Sequence, residues 1–201
     1  IDMPAGPSEV EVIADESANP AFIAADFLSQ AEHGVDSQAM LVTASESIVE
    51  PVMQAIREQL DRLPRKEITE KSLSHSRLIV LKDKQEVIDF TNLYAPEHLI
   101  IQTTDYTDIA GLVENAGSVF MGPYTPESAG DYASGTNHTL PTNGYAKAYN
   151  GVNLDSFIKK ITFQEITADG IRLLGGTIRT MAANEQLDAH KNAVTIRLNT
   201  L

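Results

Sequence analysis

The sequence predicts a layered α/β fold built on a mainly parallel sheet, followed by a small, mostly helical carboxy-terminal domain. Three observations lead there. Short β-branched apolar runs alternate with stretches whose apolar residues recur every three or four positions, the pattern of strands and amphipathic helices taking turns along a chain. A long stretch rich in Gly, Pro, Thr, Asn and Tyr, from about Pro123 to Val152, breaks that alternation. Beyond it the periodicity is chiefly helical. The reading divides the chain into an α/β domain over residues 1–150 and a second domain over 151–201.

Taken in order, Val10 to Ala14 is a β-branched run, and Phe22, Ile23, Ala25 and Phe27 after Pro20 predict a helix through about Gln30. Ala39 to Thr43 repeats the strand signal. Ile48, Val49, Val52, Met53, Ile56 and Leu60 then recur at helical spacing behind a Ser45 cap. Leu78 to Leu81 with Val87 to Leu93, and Leu99 to Gln102 with Ile109 to Glu114, make two further strand–helix units before a strand at Ser118 to Met121. After the loop, Ile158 to Ile166 reads as a strand, Ala168 to Ala183 as a helix, and Glu185 to Arg197 as a second helix.

Composition excludes several classes of function. With 201 residues, 42% hydrophobic and 21% charged, the chain has the material for a real core and no apolar run near the ~20 residues that span a bilayer. Acidic residues outnumber basic ones 28 to 15, a formal charge of -13 that repels a phosphate backbone, so neither nucleic acid nor membrane is an expected partner. The absence of cysteine removes thiolate metal sites and leaves His, Asp, Glu and amide oxygens as the available ligands. With no targeting segment, the expected compartment is the cytoplasm. The chain opens on Ile1 rather than Met and reads as starting inside a longer protein.

Four clusters could carry chemistry. Gln30 and His33, three apart near a helix end, could converge on one ion, or could be a solvated terminus before Gly34. Pro96-Glu97-His98 puts a carboxylate beside an imidazole at a strand edge, which suits proton abstraction from an alcohol and equally suits a capping Glu with a backbone-satisfied His. The run Gly130-Asp131-Tyr132-Ala133-Ser134-Gly135-Thr136-Asn137-His138 offers ligand-type side chains among glycines, or an ordinary turn. Glu185 and His190, five apart on a helical pattern, do not share a face well. His75 reads as a surface loop residue. Gly170 to Gly176 and Gly117 to Gly122 lack both the dinucleotide and the phosphate-loop fingerprint. No Gly-x-Ser-x-Gly elbow and no His-Glu-x-x-His helix occurs.

Five segments together resemble the histidinol dehydrogenase family, in the family's order and over essentially the whole chain. They are Ile1-Asp2-Met3-Pro4-Ala5-Gly6-Pro7-Ser8-Glu9-Val10, Leu28-Ser29-Gln30-Ala31-Glu32-His33-Gly34, Tyr94-Ala95-Pro96-Glu97-His98-Leu99, Gly130 through Thr142, and Glu185-Gln186-Leu187-Asp188-Ala189-His190. The resemblance implies a Rossmann-like sheet, incomplete here, and a zinc-dependent, NAD-linked four-electron oxidation of L-histidinol to L-histidine through the aldehyde. Carried over residue by residue, it implies Gln30, His33, Asp131 and His190 as ligands of one Zn2+ per site, with His190 reaching the metal of a partner subunit in a homodimer. It further implies Glu97 and His98 as the acid/base pair, His98 taking the proton as hydride leaves and Glu97 activating water. Ser8, His138 and Glu185 would contact substrate beside Gln30, His33, His98, Asp131 and His190, while the NAD contacts are unassigned. The family's chain is about twice this long, and its amino-terminal half carries most of the NAD contacts. An isolated chain is therefore expected to be impaired, and its unpaired sheet edge to favour association. The competing readings are a dimerising scaffold without catalysis and a divergent zinc hydrolase.

Overall fold

A computed structural model describes residues 3–201; Ile1 and Asp2, which open the first of the family-like segments, lie outside the described residues. The chain divides into two compact units, Ile1–Ile158 and Lys159–Leu201. The first is a five-stranded parallel sheet with helices on both faces. Its strands are β1 (Glu9–Ala14), β2 (Gln38–Thr43), β3 (Arg77–Val80), β4 (His98–Gln102) and β5 (Ser118–Met121), in the order β3-β2-β1-β4-β5. This is the doubly wound order without its sixth strand, as the incomplete Rossmann-like expectation has it.

β1 and β4 lie inside the sheet and are buried along their whole length, apolar at Val10, Val12, Ile13, Ala14, Leu99, Ile100 and Ile101 and polar at Glu9, Glu11, His98 and Gln102. Pleating sends alternate residues to opposite faces. Val10, Val12, Leu41, Ile100 and Phe120 pack with Ile23, Phe27, Ile48 and Val52 on the side of α1 (Pro20–Ala31) and α2 (Val49–Leu60). Ile13, Val42, Leu99 and Ile101 pack with Val87, Ile88 and Ile109 on the side formed by two later helices. Ile100 is fully buried at the centre of the first layer. Ile100→Val should cost about 0.5–1.5 kcal/mol of unfolding free energy in urea denaturation, by the loss of one methyl group from a close-packed core.

Several boundaries differ from the sequence reading for local reasons. α1 starts where expected, with Asn19 accepting from the Ala21 amide and Pro20 in the first turn. Ser45 makes no capping bond. Its hydroxyl lies against that of Ser47, and a short 3-10 turn, Glu46–Ile48, leads into α2. α3 (Lys66–Leu73) was not expected, because its buried residues are Thr69 and Ser72 and so leave no apolar stripe. α4 (Lys84–Tyr94) begins at Asp83, which caps the Glu86 amide, and α5 (Tyr106–Ala110) lies earlier than the Ile109 to Glu114 pattern. The loop beyond β5 contains a six-residue helix, α6 (Glu127–Tyr132).

The second unit is a helical hairpin of α7 (Ala168–Asn184) and α8 (Asp188–Leu198). Gly175 of α7 lets Leu198 of α8 approach so closely that a β-carbon there would meet Leu198 Cδ1 at 2.7 Å. Two expectations are corrected in this region. Ile158 to Ile166 is not a strand: it has β-branched residues but no neighbouring strand to complete its hydrogen bonds. Nor do Glu185 and His190 share a helix. Glu185 caps α7, Gln186 turns the chain at φ 60°, and α8 begins only at Asp188. Among the described residues no helix is long and apolar enough to cross a membrane.

Candidate active site

The site lies at the amino-terminal edge of the sheet. His98 is the first residue of β4 and Ser8 immediately precedes β1. Gln30 is in the last turn of α1, which runs back antiparallel to the strands, and Asp131 is on α6. Open α/β sheets ordinarily bind ligands at the opposite edge, outside the carboxyl ends of their strands.

Two local devices aim the acid/base pair. Buried Ala95 ends α4 in the left-handed region at φ 56°, an uncommon state for a residue with a β-carbon, and so turns the chain sharply into Pro96-Glu97-His98. On the other side Gly117 lies so close to the Glu97 carbonyl that a β-carbon would come within 2.5 Å of its oxygen. The Gly117 and Ser118 amides donate to Pro96 and Glu97 carbonyls, each at 2.9 Å.

His98 and Glu97 are both almost fully buried. His98 Nδ1 lies 3.0 Å from the Glu9 carbonyl, an acceptor, so Nδ1 carries the proton and Nε2 the free lone pair. Among the described residues Nε2 has no hydrogen-bond partner, and it faces Asp131 Oδ1 at 4.0 Å. Glu97 Oε2 accepts from the Glu9 amide at 2.8 Å and lies 3.5 Å from His98 Nδ1. The Gln30 amide nitrogen donates to Glu97 Oε2 at 3.5 Å and lies 3.4 Å from His98 Nδ1, a contact between two donors, while its oxygen, Oε1, is buried without a partner. Burial disfavours a charged His98, yet the Glu97 and Glu127 carboxylates and the Glu9 carbonyl outweigh it and hold the imidazole above its ordinary value.

Of the sequence-predicted residues, the fold therefore gathers Gln30, Glu97, His98 and Asp131. Ser8 and His33 form a second pair, with Ser8 Oγ 3.5 Å from His33 Nδ1, adjoining the cluster through Glu9 and through the turn bond from the His33 amide to the Gln30 carbonyl. His33 lies just past the end of α1 and is exposed, whereas Gln30 is wholly buried. His138 is exposed on the loop after α6. Glu185 and His190 belong to the second unit, where both are exposed.

One residue of the cluster was missed. Glu127 is buried, and its carboxylate, that of Asp131 and a ring nitrogen of His98 all come within 4.8 Å of one another, a grouping able to hold a metal ion. Burial pushes Glu127 up to about 7, with His98 opposing and Asp131 and Glu97 adding to the rise. The available signal was its spacing of four from Asp131, one helical turn. No Lys or Arg among the described residues pairs with Glu97, Glu127 or Asp131. An edge where the Glu97 and Asp131 carboxylates have no basic side chain beside them but His98 suits a cation. The grouping brought together here is His98, Glu127 and Asp131; the unpartnered Gln30 Oε1 and the exposed His33 imidazole are further N/O donors of the kind a divalent transition ion takes.

The opposite edge does not fit a dinucleotide. A crevice of about 220 Å3 there is lined by Asp15, Glu16, Ser45, Lys84, Thr104 and Asp105 among others. Ala14-Asp15-Glu16-Ser17 follows β1 where a phosphate-binding glycine turn would stand, and Lys84 is paired with Asp105 at 2.8 Å.

Residues 1–198 match the sequence pattern of the histidinol dehydrogenase family. A histidinol dehydrogenase of Bacteroides thetaiotaomicron is 69% identical over 201 residues, covering 100% of this chain and 47% of its own length. A chloroplastic histidinol dehydrogenase of Arabidopsis thaliana is 59% identical over 202 residues, covering 100% of this chain and 43% of its own. The crystal structure of histidinol dehydrogenase from Elizabethkingia anophelis superposes with a TM-score of 0.92 at 57% identity, over 99% of this chain and 46% of that one. The chain thus spans about half the length of the relatives it matches.

Proposed function

The chain belongs to the histidinol dehydrogenase family, and from that premise we propose that it supplies the acid/base and most of the metal-binding residues for oxidation of L-histidinol to L-histidine through the aldehyde. The observation that carries this reading is the buried, partnerless Nε2 of His98, held between acidic groups and turned toward Asp131. A neutral imidazole fixed through Nδ1 is a general base whose only free valence points into the site. Nε2 takes the hydroxyl proton as the carbinol C–H bond gives up hydride. Glu97, braced through Oε2, has Oε1 to accept a proton from the water that adds to the aldehyde.

Gln30, His33 and Asp131 would hold Zn2+, with His190 of a second copy as the fourth ligand; when bound, the ion supplies attraction for the amino-alcohol's nitrogens and so orients the reacting carbon. Ser8, His138 and Glu185 are assigned to the substrate. NAD as hydride acceptor is part of the proposal, but the crevice beyond β1 offers no cradle for its phosphates, so no residue here is assigned to it. Homodimerisation, the split into domains 1–150 and 151–201, and a cytoplasmic location complete the reading; the plant relative is described as chloroplastic, so compartment varies within the family.

Calorimetric zinc titration with and without histidinol, on the wild type and on His33→Ala, tests it. Tight zinc binding that histidinol strengthens and the variant loses is the expected result. A second reading, a dimerising scaffold without catalysis, is favoured by the exposed apolar side chains of the second unit, Phe163 at 89% and Leu173 at 83%. Absence of specific zinc binding would leave that reading standing and remove the first.

A further inference from the structure

α6 spans six residues, too few to stand on its own hydrogen bonds, and only Glu127 and Gly130 of it are buried. Both anchor points lead to the site. Gly130 lies flat against Phe120, where a β-carbon would meet Phe120 Cε1 at 2.6 Å, and that ring packs on the His98 imidazole with centroids 5.8 Å apart. Glu127, only 2% exposed, approaches His98 and Asp131 on one side, while its Oε2 lies 3.4 Å from Ser29 Oγ, next to Gln30 on α1. Four residues apart, Glu127 and Asp131 share a face of α6. A side chain whose sole task was to fill this space would be apolar, because burying a carboxyl group on one long hydrogen bond costs stability.

We propose that Glu127 is a positioning residue of the metal site: its length sets how far α6 stands from α1, and so where Asp131 meets Gln30 and His33. The inference rests on the zinc reading above. Side chains that support metal ligands from behind typically govern affinity ten- to hundredfold without touching the ion.

The test is zinc titration of the complete chain against a chromophoric chelator, with thermal melting of the metal-free proteins as the check on folding. Glu127→Asp keeps the charge and shortens the reach by one methylene; Glu127→Gln keeps the reach and removes the charge. A positioning residue follows length. The expected result is a loss of affinity of about ten- to hundredfold in E127D, affinity within about threefold of wild type in E127Q, and a cooperative metal-free melt in each variant. Affinity lost in E127Q as much as in E127D would overturn the inference, since the carboxylate would then be a ligand or charge partner. So would wild-type affinity in both. No zinc binding by the wild type would instead sink the zinc reading, and this inference with it.

Discussion

His98→Asn is expected to lower kcat for histidinol by about 10²–10⁴-fold, the span that a well-placed general base contributes, while leaving the protein folded and able to bind zinc. The argument is geometric. The Glu9 carbonyl occupies Nδ1, Glu97 stands behind the same nitrogen, and Nε2 is the one ring atom left for chemistry. Asparagine can replace the contact to the Glu9 carbonyl but carries no basic lone pair. The wild-type pH dependence should agree. Because the surrounding carboxylates raise His98 above 6.5, the free base predominates only above that raised value, and the rate should fall as pH drops through it. In His98→Asn that limb should disappear. Steady-state kinetics from pH 5 to 9 would check both; an unchanged kcat, or a limb that survives the substitution, would remove His98 from the proton transfer.

The largest effect on stability is expected at Glu11, in the middle of β1. It is fully buried, Thr91 is its hydrogen-bond donor, and Oε2 has no partner. Burial pushes it up to about 8. The folded protein therefore keeps this proton where the unfolded chain, at an ordinary value of 4.5, has lost it. Stability then falls as pH rises from about 4.5 to about 8, by roughly 1.4 kcal/mol per pH unit for this one group, and the loss is absent below that window. Glu11→Gln removes the ionisation and keeps the shape. Its stability relative to wild type should grow by about 4 kcal/mol between pH 5 and pH 8, read from urea denaturation at both values. Parallel pH dependences for the two proteins would show that Glu11 is ionised in the folded state.

The sheet was legible because its central strands are buried on both faces and carry β-branched residues at Val10, Val12, Ile13, Ile100 and Ile101, with Glu11 as the buried exception. α3 was not, because Thr69 and Ser72 pack through hydroxyl groups that sequence periodicity counts as polar. Ile158 to Ile166 shows the opposite error: a pattern compatible with a strand means nothing until another strand lies beside it. In the site, Glu97 and His98 were visible as adjacent ionisable residues before an apolar run. Glu127 had only its spacing of four from Asp131 to mark it, since Pro126-Glu127-Ser128 resembles any exposed turn and only the fold drives that side chain inward. Local spacing could suggest Gln30 and His33 as a pair, but could not reveal that one would be wholly buried and the other exposed.

The placement of the site separates two tasks that most proteins of this architecture combine. β1 is six residues long, so the edge bearing His98 and the edge bearing Asp15 stand about 20 Å apart. The loops at the second edge can accumulate substitutions without touching the side chains gathered at the first. Evolution, or a protein engineer, thus has a second mouth in the same scaffold, flanked by Lys84 and Val87 of α4 and Ile109 of α5 and crossed by the Lys84–Asp105 pair, whose contents can be rewritten without reaching the His98 edge.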